Sequence, residues 1–180
     1  TGSSHGGEVD KHGMLETPNV DFHIHHALSP LARIFGLAGT VQHGASTLPL
    51  KILPEFPANE CLEIHLATGL QNVIFHNANL PQDFRQQITE EQMTMLKNEW
   101  KKEWTRDQFL YKTLKKTWGT FKEEWWHLDM PVRESIRADL RLLVREYFER
   151  LQMHDTRECL EDHIPKVSTD VQQPKNLLDV

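Results

Sequence analysis

DMPVRESIRADLRLLVREYFERL, residues 129–151, reads as one long helix, and that reading sets the fold class. Val132, Ile136, Leu140, Leu143, Tyr147 and Leu151 recur every three or four residues over about five turns, the spacing that places side chains on one face of an α-helix. Asp129 stands where a cap is needed, and Pro131 suits a first turn, where an amide hydrogen has no intrahelical acceptor.

Outward from this stretch the helical signals continue. Downstream, Asp155-Thr156-Arg157-Glu158 predicts a last short helix that Pro165 stops, followed by a polar tail. Upstream, Thr89-Glu90-Glu91-Gln92 and Thr105-Arg106-Asp107-Gln108 have the form of capping boxes, in which threonine and glutamine satisfy each other's amide donors. Met93, Leu96, Trp100 and Trp104 follow the first box at helical spacing. Leu110, Leu114, Trp118, Phe121 and Trp125 follow the second, interrupted by Gly119, which weakens a helix by about 1 kcal/mol relative to alanine. Pro81 opens a shorter helix running to Ile88. The fold class is mainly α, with amphipathic helices over residues 89–164.

The N-terminal third reads differently. Residues 1–19 carry Gly, Ser, His and Asp without apolar period, a composition that does not order itself. Ser29 and Pro30 look like a cap and first-turn proline for a short helix near 30–38. Pro49, Pro54 and Pro57 predict that residues 41–58 run extended over a surface. Residues 60–76 have two readings. Leu62, Leu66, Leu70 and Val73 fit a helix capped by Asn59, whereas Leu62, Ile64 and Leu66 alternate as in a short hairpin turning at Gly69; the helix fits more positions. The expected organisation is an irregular arm over 1–58, a helical domain over 59–164 and a tail over 165–180.

Composition narrows the function classes. The chain has 180 residues and a formal net charge of −6. Proteins that coat nucleic acid by releasing counterions are basic, so nucleic acid is an unfavoured partner. No stretch reaches the roughly 18 apolar residues of a membrane span; the longest candidate, residues 28–39, contains Pro30 and Arg33. Cys61 and Cys159 lack CxxC spacing and read as two buried free thiols, with one disulfide as the alternative. The TGSSHGG start reads as a processed or appended terminus, without a leader pattern.

Three constellations carry chemical interest. Asp21-Phe22-His23-Ile24-His25-His26 holds a His-x-His pair that, on a strand, aims two imidazoles to one side and can share a metal. That is the arrangement of metal-dependent hydrolases, yet the chain has neither a barrel's length nor its alternating β/α pattern. A surface histidine cluster is the plainer reading, and no cofactor is predicted.

The second constellation is the Trp/Lys segment over residues 97–126. Eight basic residues stand against three acidic ones between Lys97 and Lys122, and Trp100, Trp104, Trp118, Trp125 and Trp126 lie in or beside them. Such interleaving can stack on single strands or seat a helix on anionic lipid. Tryptophans at helical spacing more often anchor a core. Third, Arg133, Arg137, Arg141 and Arg145 form a ridge about 18 Å long at four-residue intervals. Like charges at that spacing repel, so the ridge, with Trp125 and Trp126, is the candidate partner-binding set.

Residues 88–92 (Ile-Thr-Glu-Glu-Gln) through Trp100, Tyr111 and Phe121 resemble the matrix-side helical region of cytochrome c oxidase subunit IV over about 35 residues. The resemblance implies a mitochondrial location within an energy-converting complex. It transfers no functional residue, and residues 128–151 are too charged to be that family's membrane helix.

The leading expectation is therefore a non-catalytic subunit of a large protein assembly, contacting other subunits and at most touching anionic lipid. The alternatives are a metal-dependent hydrolase built on His23, His25 and His26, and a nucleic-acid or lipid-surface module built on residues 97–126.

Overall fold

The computed structural model describes residues 7–164 and residue 167. The predicted stop at Pro165 lies outside the described residues, as does all of the tail but Val167. The chain is mainly helical: α1 Phe22–Ile34, α2 Glu55–Ala58, α3 Thr68–His76, α4 Gln82–Met95, α5 Arg106–Leu114, α6 Lys122–Trp126, α7 Met130–Arg150 and α8 Arg157–His163. Two short strands, β1 Thr40–Gln42 and β2 Cys61–Ile64, pair in parallel with Thr40 opposite Cys61.

The long helix α7 forms where its apolar period predicts. Pro131 sits in its first turn and Asp129 is its cap residue, although the Asp129 side chain makes no capping bond. The helix ends in a Schellman turn: Gln152 N–H donates to Glu149 O, Met153 N–H donates to Phe148 O, and Gln152 takes φ 58°. Ile136 and Tyr147 are buried, and Leu143 and Val132 pack against different cores. Leu140 departs from the predicted stripe and lines a surface groove instead.

Two hydrophobic cores lie along α7. The second gathers Phe75, Phe84, Ile88 and Phe121 with Trp118 and Trp125 packed against them. α4 supplies Phe84, Ile88 and Gln92 from one face. That unbroken buried face overrides the predicted cap at Thr89, whose hydroxyl instead donates to the Arg85 carbonyl inside the helix. The Thr105–Gln108 capping box does form, with both reciprocal bonds. Between them α4 stops at Met95, so Trp100 and Trp104 are not on it. Trp100 stacks on Phe109 with centroids 4.7 Å apart, and its Nε1 donates to the Trp104 carbonyl at 2.9 Å. α8 starts after Thr156 without a side-chain cap, so the box predicted at Asp155 does not form.

The first core comes from the region predicted to be extended. Residues 41–58 fold into tight turns and α2, and bury Ala45, Leu48, Leu53 and Phe56. Two of the three prolines that argued for an extended chain start the turns, Pro49 before one 3-10 turn and Pro54 as the cap residue of α2, and Pro57 lies within the single turn of α2, positions where a fixed φ and a missing donor cost little. Residues 60–76 are neither one helix nor a hairpin, because β2 joins β1 and α3 follows. Gly69 permits that packing, since a Cβ there would lie 2.0 Å from the Ser46 carbonyl oxygen. Residues near the N-terminus are also held: Val9 is buried, Gln108 donates to its carbonyl, and Thr105 donates to the Lys11 carbonyl.

Both cysteines are free, Cys61 buried and Cys159 exposed, so the disulfide alternative is not realised and only one thiol is buried as predicted. Among the described residues no helix is long and apolar enough to cross a membrane.

Candidate functional site

Helix α1 begins at the Asp21 cap, whose carboxylate accepts from His23 N–H at 3.0 Å. It therefore starts eight residues before the predicted Ser29 cap and runs through Pro30. It ends where Gly36 takes φ 79° and Leu37 N–H donates to the Ala32 carbonyl, a second Schellman turn. His25 and Ser29, ahead of Pro30, are anchored on the inward side of the helix.

Those anchors are polar. His25 and Ser29 are both 0% exposed. His25 Nδ1 lies 3.0 Å from Thr40 Oγ1, and Nε2 lies 2.9 Å from Gln42 Oε1. The Gln42 amide nitrogen donates to the His43 carbonyl, which leaves Oε1 to accept and assigns a hydrogen to His25 Nε2. Ser29 Oγ donates to the Glu60 carbonyl at 2.7 Å and lies 2.7 Å from Thr40 Oγ1. Arg33 pairs with Glu60 at the edge of this network, and the guanidinium holds the Glu60 carboxyl below its ordinary range. Every polar atom facing inward thus has a partner, the condition under which buried polar groups are stable. The network also closes the interior: both ring nitrogens of His25 are taken and no solvent reaches them.

The inward side of α1 thus joins His25 and Ser29 to Phe22, which packs against the first core, while Leu28, Leu31 and Ile34 are exposed together with His23, His26 and Arg33. Ile34 and Phe35 are 77% and 76% exposed. Leu31, Leu37 and Leu62 on the adjoining β2 are exposed beside them. Sequence reading missed this face because it started the helix at Pro30, which leaves His25 off it, and otherwise took residues 28–39 as a failed membrane span.

The histidine constellation is corrected by the same helix. On an α-helix His23 and His25 point roughly 160° apart, so they cannot share a metal as they would on a strand. His23 and His26 are exposed and His25 is buried. Among the described residues no group of three His, Cys, Asp or Glu side chains could hold a metal ion.

In the Trp/Lys segment the tryptophans divide. Trp118 and Trp125 lie against Phe75 in the second core, with centroids 4.8 and 5.3 Å from its ring. Trp104 carries the ammonium groups of Lys101 and Lys112 over its face. Only Trp126 of the five ranks among the exposed large hydrophobic side chains. Trp125 is thereby a partly buried side chain packed against the second core.

The arginine ridge also divides. Arg133 is half-buried, with its Nε buried and without a hydrogen-bond partner. Arg137, Arg141 and Arg145 are exposed and line one groove with Leu140, Val144 and Phe148. A more polar cleft of about 420 Å³ lies between the cores, where Lys112 is already paired with Glu8. No protein-family model, no curated protein and no solved structure matches the chain.

Proposed function

We propose that this chain is a non-catalytic subunit of a multiprotein assembly, docked through the outer face of α1. The observation that carries the reading is the exposed apolar surface on the C-terminal half of that helix and the turn after it: Leu28, Leu31 and Ile34 on α1, then Phe35 and Leu37, are exposed while His25 and Ser29 are buried. Contiguous apolar surface of this kind marks interaction sites. A protein partner fits better than an anionic bilayer. Helices that lie on such bilayers are rich in lysine and arginine, and the one arginine of α1 is taken by Glu60.

The exposed arginines of α7 form a second contact in this proposal, with Trp126 a further candidate. Arg133 and Trp125 are left out of it for the packing reasons above. A mitochondrial energy-converting complex is the assembly we propose, on the resemblance of residues 88–121 alone.

The test is co-purification of the tagged chain from its own cells, comparing wild type with Leu31→Asp/Phe35→Asp. Burying one such side chain contributes about 1.5–3 kcal/mol, so the double variant should lose its partners at least about tenfold. Circular dichroism should find it folded. Undiminished recovery of a defined complex would remove α1 from the interface.

A further inference from the structure

We propose that the groove on the outer face of α7 receives an acidic amphipathic helix of another protein. This deepens the docking reading by naming the partner of the second surface. Leu140, Val144 and Phe148 stand at four-residue intervals and form its apolar part. Arg137, Arg141 and Arg145 stand at the same intervals and form its basic part. The opening measures about 670 Å³.

Charge identifies the occupant. Arg137 pairs with Glu134. Among the described residues, neither Arg141 nor Arg145 has an ion-pair partner, yet the three cations follow one another at steps of about 6 Å and repel. A helix bearing carboxylates every fourth residue repeats at the same step, so Arg141 and Arg145 each meet one carboxylate in a charge-assisted, two-pronged bond. Rows four residues apart are also the ridges and grooves by which helices pack on each other, and apolar anchors at that spacing are how a groove recognises a helix.

The probe is a synthetic 18-residue helical peptide with leucine at every fourth position and glutamate beside each leucine. Binding to the full chain is read by fluorescence anisotropy at low and high salt. Wild type should bind, and salt should weaken binding at least about fivefold. Arg141→Glu/Arg145→Glu should lose at least about tenfold and regain binding when the peptide glutamates are replaced by lysines. Phe148→Ala should weaken the glutamate peptide while leaving the fold intact by circular dichroism. Leu31→Asp/Phe35→Asp should bind it as wild type does, so this proposal and the α1 reading can fail separately. Absence of binding or equal binding of glutamate and lysine peptides to wild type would overturn the proposal. So would stronger binding to phosphatidylglycerol vesicles, or a self-dimer in sedimentation that the arginine variant dissolves.

Discussion

The second core is built from rings supplied by α3, α4, the 3-10 turn before Gly119, and α6. Phe84 meets Phe121 and Trp125 edge-on, and Trp118 meets Trp125 with centroids 4.7 Å apart. The first core is joined by polar bonds between distant segments: Ser29 to Glu60, His25 to Thr40 and Gln42, and the Tyr147 hydroxyl donating to the Ser46 carbonyl across 101 residues of sequence. The contrast teaches where local pattern suffices. Aromatic stripes on long helices find one another whatever their exact ends. Turns held by reciprocal hydrogen bonds form only when every segment is in register, and they leave an adjoining helix free to expose apolar side chains.

Four substitutions or conditions sharpen the contrast, from large effect to small. Phe56→Ala should cost about 3–5 kcal/mol in urea unfolding, because Phe56 is fully buried where α1, α2 and β2 meet. A loss below about 1 kcal/mol would show that the first core contributes little to stability. Gly69→Ala should cost about 1–3 kcal/mol, since its Cβ would strike the Ser46 main chain and no side chain can swing aside. A neutral result would mean that the first core yields where it is described as fixed.

Alkaline pH should loosen the first core selectively. Burial pushes the Cys61 thiol above its ordinary 9.0 and the Tyr147 hydroxyl above its ordinary 10.0. Both are neutral when folded, so their contribution is complete below pH 9.0 and is lost as pH rises through the raised folded values. Unfolding midpoints measured from pH 8 upward, steps of about one unit, should therefore fall on the alkaline side. Cys61→Ala should move that fall to higher pH, and an unmoved limb would contradict the assignment. At the small end, Arg141→Glu should change stability by less than about 0.5 kcal/mol, because the side chain is exposed.

Legibility in the sequence follows the same division. α7, α5 with its Thr105 cap, and Trp118, Phe121 and Trp125 of the second core are readable from period and capping chemistry, whereas Phe75 and Phe84 belong to no predicted stripe. The cap at Thr89 is not, because burial of Phe84, Ile88 and Gln92 on one face of α4 outweighs a local signal. The prolines of residues 41–58 lead to the wrong inference, since a chain of short turns can also fill a core. The parallel pairing of β1 with β2 is invisible to local pattern, as are the partners of His25. The arginine ridge is readable as a row, but which of its members are exposed is not, and Leu140 beside it reads as core because period alone cannot separate a buried stripe from a groove.

The central claim is that α1 is held through its buried His25 and Ser29 and displays Leu31 and Ile34. Urea unfolding of Leu31→Glu and His25→Ala, measured side by side, tests it most directly. Leu31→Glu should stay within about 0.5 kcal/mol of wild type, as at a surface site. His25→Ala should cost about 1–3 kcal/mol, because it orphans Thr40 and Gln42 inside the protein. A larger loss for Leu31→Glu than for His25→Ala would contradict the account.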